Sequence, residues 1–239
     1  MSLSSEQLQK YQAVLTKVTE RISKRKNVQA VLVTGSFARD ELQENSDIDI
    51  LTISDSPKQT HYEHREEVDG VTVEIIEIPL AYAQSQCKKE RQKRRRFISG
   101  LLADAKFVAG DKKQAETIIK KAYATFHAPI PSLSKKEKAD LLFFLGKSPS
   151  QELLLQDQNK LLAAHLRMNH KLATCLEVAF YLENKVIPHH KNWDSALTTF
   201  RDKKLARLLI NVATCSETSQ RQSDWGKLVT YVVKKLHQQ

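Results

Sequence analysis

The segment from Val28 to Ile53 constrains the fold of this chain more than any other. Its apolar part, Val28 to Thr34, predicts a strand that ends at Gly35-Ser36. A polar segment long enough for two helical turns follows, and a second strand is expected to begin at Asp47. The expected order is therefore strand, tight turn, short helix and strand.

Asp47 and Asp49 lie two residues apart at the start of the second strand. Side chains two apart in a strand project from the same face, so their Cα atoms are expected about 7 Å apart, while Ile48 and Ile50 point into a core. Two carboxylates on one rigid face form a hard oxygen site, which suits Mg²⁺ that also contacts substrate phosphates. The pair therefore predicts a metal site.

Gly35 and Ser36 occupy the corner where the chain leaves a strand and enters the expected helix. Backbone N–H groups and the positive end of a helix dipole at such a corner favour an anion. Gly35 permits a close approach of the backbone, and the Ser36 hydroxyl adds a donor. We expect this corner to bind the phosphates that the metal bridges.

Ten residues separate Gly35-Ser36 from Asp47-Ile48-Asp49, and this arrangement resembles the signature of the DNA polymerase β-like nucleotidyltransferase superfamily. The resemblance implies a mixed sheet with helices on one face, followed in many members by a helical substrate domain. It also implies transfer of a nucleoside monophosphate from an NTP, here expected to be ATP, to an acceptor hydroxyl with release of pyrophosphate. Many members carry glycine where this chain has Asp40, so the local turn departs from the family pattern.

The dipeptide Asp69-Gly70 between the extended stretches Thr60 to Val68 and Val71 to Ile78 predicts a β-hairpin. The second strand contains Glu74 and Glu77, which are three residues apart and therefore face opposite sides of the sheet. Only one of them can join the aspartate pair. The resemblance selects Glu74, because the family usually places its third acid a few residues into this strand, and Glu77 remains the alternative.

The resemblance implies a role for each residue of this site. Asp47 and Asp49 would hold two Mg²⁺ ions. Glu74 would complete the second metal site or accept the proton of the acceptor hydroxyl. The candidates that bind the phosphates of the nucleotide are Gly35, Ser36 and Arg39.

The chain is expected to divide at Ala128 to Ser134, where two prolines suppress helix and Ser134-x-x-Glu137 then forms a capping-box pattern. We expect an α+β fold, with a mixed-sheet nucleotidyltransferase domain over residues 1–130. Residues 131–239 are expected to form an all-α helical bundle that binds the substrate. A core stripe is expected in its longest helix, formed by Leu153, Leu154, Leu161, Leu162, Leu166, Leu172, Leu176 and Phe180.

The segment from Asn184 to Trp193 is similar to the helical domain of antibiotic nucleotidyltransferases, where a proline and a Lys-Trp often join two helices near the nucleotide. The similarity implies that Lys191 reaches a phosphate. The alternative is an interhelical loop with a buried Trp193.

The net charge of +10 is uneven, with 21 basic and 18 acidic residues in 1–133 and 17 and 10 in 134–239. A basic protein attracts polyanions. The basic run Lys88 to Arg96 is either a solvated helix face or a phosphate-binding element through Arg91, Arg94 and Arg95, although it lacks the interleaved aromatics of a single-strand binder.

The expected acceptor is a small, antibiotic-like molecule with a hydroxyl group. An aminoglycoside is less favoured, because such a polycation would meet a basic domain. Transfer to RNA or protein, and a non-catalytic nucleotide-binding module, are the alternatives. No apolar run approaches the ~18 residues of a membrane span, and three cysteines without a motif indicate reduced thiols. We therefore expect a cytoplasmic monomer or homodimer without a membrane partner.

Overall fold

The computed structural model describes residues 4–58, 60–146 and 161–239. Contacts between Cα atoms divide the chain into two compact units, Met1–Ala128 and Pro129–Gln239. None of the helices in these described ranges is long and apolar enough to cross a membrane.

The first unit is a mixed five-stranded sheet in the order β3-β4-β2-β1-β5. Strands β2 and β4 are parallel, and the other neighbouring pairs are antiparallel. The elements in chain order are α1 (Ser5–Ser23), β1 (Val28–Thr34), α2 (Gly35–Ala38), β2 (Ile48–Ser54), β3 (Tyr62–Val68), β4 (Val71–Pro79), α3 (Leu80–Glu90), α4 (Phe97–Ala103), β5 (Lys106–Gly110) and α5 (Lys112–Phe126).

The two faces of the sheet carry separate apolar cores. Ile48 and Ile50 of β2 pack with α1, whereas Leu51 and Ile53 pack with α3, α4 and α5. This division follows from the alternation of side chains along a strand. The expectation of helices on one face was therefore wrong, because the amphipathic α1 buries Val14, among other residues, against the opposite face.

The hairpin expected at Asp69-Gly70 is confirmed. Asp69 has a φ of 51° and Gly70 a φ of 71°, and Val68 pairs with Val71 across the turn. Positive φ at both central residues is the conformation of the two-residue turn that suits twisted antiparallel strands.

The helix after Gly35 is shorter than expected, since α2 has one turn instead of two. The left-handed backbone of Asp40, with a φ of 59°, ends the helical conformation. Aspartate tolerates this region better than most non-glycine residues. Asp40 thus adopts the kind of backbone conformation that glycine favours.

The second unit is helical throughout its described residues, apart from its connections. The capping box at its start is confirmed, because Ser134 Oγ accepts from Glu137 N at 3.2 Å and Glu137 Oε2 accepts from Ser134 N at 2.8 Å. Its helices are α6 (Lys135–Gly146), α7 (Leu161–Leu182), α8 (Trp193–Thr198), α9 (Lys203–Thr214) and α10 (Thr218–His237), with a 3-10 turn at His190–Asn192.

The leucine stripe of the long helix was only partly right. Leu172, Leu176 and Phe180 are buried, but Leu162 and Leu166 are 75% and 61% exposed. At about 100° per residue, Leu166 lies about 160° around the helix from the buried Met168, so it faces away from the core. The stripe positions Leu153 and Leu154 and the side chain of Leu161 lie outside the described part of the chain.

Candidate active site

Three carboxylates meet at the ends of two parallel strands. Asp47 directly precedes β2, Asp49 lies within it, and Glu74 is the β4 residue that pairs with Asp49. Each offers an oxygen within 4.8 Å of an oxygen of the other two, and Asp49 is buried while Asp47 and Glu74 are half-buried. Three hard oxygen ligands this close would repel one another without a cation, so the cluster fits a divalent metal ion.

Glu77 lies apart from this cluster. It projects from the opposite face of β4, where it accepts a hydrogen bond from Asn27 Nδ2 at 3.3 Å. Of the two acids considered from the sequence, the structure therefore brings Glu74 to the aspartate pair.

Gly35 forms one wall of the carboxylate cluster. Its φ of +68° is in the left-handed region, and a Cβ atom on it would lie 1.8 Å from Asp49 Oδ2. The preceding residue, Thr34, pairs with Asp49 in the sheet and donates from its hydroxyl to the Leu101 carbonyl at 2.8 Å. Hence Thr34 anchors the end of β1 to α4, and the absence of a side chain at Gly35 leaves room for the Asp49 carboxylate.

Arg65 is a cation of the site that the sequence analysis missed. Its Nη2 atom lies 3.4 Å from Asp47 Oδ2 and 3.9 Å from Glu74 Oε1, and its side chain is 63% exposed. The signal was present in the hairpin, because a two-residue turn at Asp69-Gly70 places Arg65 opposite Glu74. Arg65 thus supplies positive charge at the edge of the cluster.

Tyr11 holds the loop that leads into the site. Its hydroxyl donates to the Ser46 carbonyl at 2.8 Å, and Ser46 Oγ accepts from Gln43 N at 2.9 Å. Burial raises the pKa of Tyr11, and the nearby charges of Asp47 and Glu44 raise it further. Tyr11 therefore remains a hydrogen-bond donor at neutral pH, and it ties α1 to the residue before Asp47.

The remaining phosphate candidates are placed as follows. Ser36 lies in the single turn of α2 and is half-buried. Arg39 Nε pairs with Glu41 Oε2 at 2.7 Å, so its guanidinium is engaged by a neighbour in sequence. Lys191 belongs to the second unit, where it is exposed in the 3-10 turn, and Trp193 Nε1 donates to the Pro188 carbonyl at 3.2 Å.

The basic run contains a structural arginine. Arg96 is 3% exposed, and its Nη1 donates to the carbonyls of Thr125, Phe126 and Ala128 at 2.9, 2.9 and 2.6 Å. Thr125 and Phe126 end α5 and Ala128 follows it, so Arg96 supplies donors to the carbonyls at this helix end. The Thr125 carbonyl also accepts from the Ala128 N–H at 3.2 Å. Of the residues considered from the sequence, Arg91 and Arg95 are exposed and Arg94 is half-buried.

Glu90 accepts hydrogen bonds at the start of α4, as Arg96 donates them at the end of α5. Its carboxylate is 4% exposed and accepts from the backbone N–H groups of Ile98 and Ser99 at 2.9 and 2.8 Å. These donors open α4, so Glu90 caps that helix. Burial, and then the charge of Glu90, raises the pKa of the Cys87 thiol to about 11. Through Glu90 and Arg96, the basic run therefore connects α3, α4 and α5.

Comparisons with known proteins agree with this geometry. Residues 15–103 match the family described as nucleotidyltransferase domain. The fold is similar to the crystal structure of a nucleotidyltransferase-like protein from Exiguobacterium sibiricum, with a TM-score of 0.50 and 10% sequence identity over 93% of this chain and 74% of that chain. At this identity the similarity concerns the fold alone. No curated protein matches the chain in sequence.

The matched residues include the corner at Gly35 and all three carboxylates. The mixed sheet, the hairpin and the acidic cluster are those that the sequence predicted. Residues 15–103 of the first unit therefore match a nucleotidyltransferase domain, which supports the resemblance to the DNA polymerase β-like superfamily.

Proposed function

We propose that this protein is a Mg²⁺-dependent nucleotidyltransferase that transfers a nucleoside monophosphate from an NTP, with ATP as the donor, to a hydroxyl of a small antibiotic-like molecule. The observation that carries the proposal is the convergence of Asp47, Asp49 and Glu74 within 4.8 Å. A shared cation would offset the mutual repulsion of these buried and half-buried carboxylates, which otherwise destabilises the fold.

The three carboxylates would hold the metal, and Mg²⁺ would neutralise charge on the triphosphate when bound. The acceptor oxygen forms a bond to the α-phosphorus, and the bond from that phosphorus to the bridging oxygen of the β-phosphate breaks. Pyrophosphate leaves with the electron pair, and Glu74 would either complete the metal site or accept the hydroxyl proton. Gly35 and Ser36 would contact the β and γ phosphates, and Arg39 and Lys191 are further phosphate candidates in this proposal.

The test is Mg²⁺-dependent incorporation of labelled nucleotide into a panel of small hydroxylated compounds and RNAs, with each of the four NTPs as donor. Asp47→Asn and Asp49→Asn should reduce pyrophosphate release by a factor on the order of 100 or more. Both variants should remain folded, because each removes a negative charge from a repelling group.

Glu77→Gln is the matched control for Glu74→Gln, because both change the same residue type on β4. The proposal expects a large loss for Glu74→Gln and a mild effect for Glu77→Gln. Wild-type activity in both aspartate variants would refute the catalytic assignment. Label in RNA or in a protein, instead of a small molecule, would overturn the proposed acceptor class.

A further inference from the structure

We propose that the groove between α9 and α10 binds a single strand of nucleic acid, and that this binding is independent of nucleotidyl transfer. The groove has a volume of about 1120 Å³, and its cationic lining consists of Lys204, Arg207, Lys227, Lys234 and Lys235. Its floor includes the buried Leu208. All of these residues lie in the second unit, so the surface is complete within one compact body.

Three of the cations are available to an anion. Within the described ranges, Lys204, Arg207 and Lys234 form no ion pair with an acidic side chain, and all three are exposed. Lys204 and Arg207 are three apart on α9 and therefore neighbours on its surface. Lys234 lies on the facing helix, so the free charges line both sides of the groove.

The other cations hold the groove in shape. Lys235 pairs with Asp202 at 3.0 Å, and Lys227 pairs with Asp224 at 2.9 Å. Tyr231 donates its hydroxyl to Asp202 Oδ2 at 2.9 Å. The ammonium of Lys204 lies 4.9 Å from the centre of the Tyr231 ring, an uncharged group, so Lys204 keeps its positive charge for an anion. Asp202 also caps α9 through Leu205 N at 3.0 Å. The groove acids are thus already paired, and the surplus charge is positive.

The shape and chemistry favour a phosphodiester strand over other polyanions. The cations line the groove from both helices, which favours one phosphodiester backbone lying between them. A bilayer surface is flat, and membrane-binding helices present large apolar side chains, whereas the aliphatic residue Leu208 is buried here. Protein interfaces are depleted in lysine at their centre, but lysine is the most frequent residue of this lining.

The test is fluorescence anisotropy of the full chain with a labelled oligouridylate of about 12 nucleotides. For a single strand, each phosphate contact contributes about 0.7 to the slope of log Kd against the logarithm of the salt concentration. Three contacts therefore predict that the dissociation constant rises about 20-fold between roughly 50 and 200 mM salt. The variant with Lys204→Gln, Arg207→Gln and Lys234→Gln should lose most of this affinity and most of this salt dependence. A single Arg207→Gln variant should weaken binding if the triple variant does not fold.

The matched control replaces Lys113, Lys120 and Lys121 of α5 by glutamine. These residues are also exposed, and the change in net charge is the same. Retained binding in this control supports a specific groove, whereas an equal loss would show a mere effect of net charge and overturn the proposal.

Two further measurements distinguish a nucleic-acid strand from a membrane surface or an acidic polypeptide, and this surface from the transferase site. Undetectable binding of oligouridylate and of a deoxythymidylate oligomer to the wild type would overturn the proposal, as would preferential binding of phosphatidylserine vesicles or polyglutamate. Asp49→Asn should bind the oligomer like the wild type. Failure of nucleotidyl transfer and failure of this surface are therefore distinguishable.

Discussion

The Asp49 carboxylate occupies the space that a side chain on Gly35 would need. The distance from a Cβ atom at Gly35 to Asp49 Oδ2 would be 1.8 Å, far inside van der Waals contact. The corner that the sequence marks as a phosphate site is therefore also a wall of the acidic cluster. Glycine is required there for two reasons, its left-handed backbone and its lack of a side chain.

Gly35→Ala should disable metal and nucleotide binding. Alanine in the left-handed region costs about 1–2 kcal/mol, and the overlap must also displace the Asp49 carboxylate. We expect affinity for Mg²⁺-ATP in calorimetric titration to weaken at least about tenfold. Gly146→Ala is the control, because a Cβ atom there would meet no atom within 4 Å. Unchanged affinity in Gly35→Ala would contradict the close packing.

Arg65→Gln should tighten the binding of a divalent ion in the absence of nucleotide. Arg65 lies 3.4 Å from Asp47 and competes with an added cation for the same carboxylates. An exposed pair contributes at most about 1 kcal/mol, so Mn²⁺ titration followed by electron paramagnetic resonance should show a gain of up to about fivefold.

Arg21→Gln is the matched control. Arg21 of α1 pairs with Glu66, which lies next to Arg65 on β3 but is not a member of the carboxylate cluster. It removes the same charge and should leave Mn²⁺ affinity nearly unchanged. If Arg65→Gln weakened Mn²⁺ binding instead, Arg65 would be a support of the metal site and not its competitor.

Arg96→Met should destabilise the first unit. The variant removes the guanidinium donor from the carbonyls of Thr125, Phe126 and Ala128. Since the Thr125 carbonyl keeps the Ala128 N–H, the expected cost is about 2 kcal/mol. Urea unfolding followed by circular dichroism should show the loss. Trp193 and Trp225 both lie in the second unit, so tryptophan fluorescence reports that unit alone.

Arg91→Met provides the comparison, because Arg91 is exposed in the same basic run. Surface changes of this kind usually alter stability by less than about 0.5 kcal/mol. Equal destabilisation by both variants would mean that the charge of the run, and not the buried contacts of Arg96, stabilises the fold.

The helical unit should lose stability in acid through Asp202. Partial burial opposes ionisation, but hydrogen bonds from Leu205 N, Lys235 and Tyr231 outweigh it and lower the pKa of Asp202 below its usual 3.8. A lowered folded-state pKa adds stability that is complete above the unfolded value and is lost as pH falls through the folded value. The urea midpoint followed by tryptophan fluorescence should therefore be constant down to about pH 5 in its Asp202 contribution and should fall at lower pH.

Asp202→Asn should have a lower midpoint at neutral pH and a smaller decrease in acid. The decrease should not vanish, because hydrogen bonds also lower the pKa values of Glu217 and Asp224. Asp194→Asn, which alters an exposed carboxylate of the same unit, should follow the wild type. An acid dependence in Asp202→Asn equal to that of the wild type would contradict the proposed linkage.

The sequence by itself determined the local elements around the site. The order of strand, corner and strand follows from apolar runs and from Gly35, and the hairpin follows from Asp69-Gly70, because periodicity and turn chemistry are local properties. The capping box at Ser134 is of the same kind. The length of α2 was mispredicted, because its end depends on the left-handed backbone of Asp40.

Only the tertiary structure decided which charges meet. Arg65 reaches Asp47 because β3 lies beside β4, and Arg96 is buried because the end of α5 packs over it, although both arginines belong to polar stretches of sequence. The basic groove exists because α9 and α10 pack side by side. Such contacts join residues far apart in the chain, and the free energy that selects them comes from burying both faces of the sheet and the helical core together.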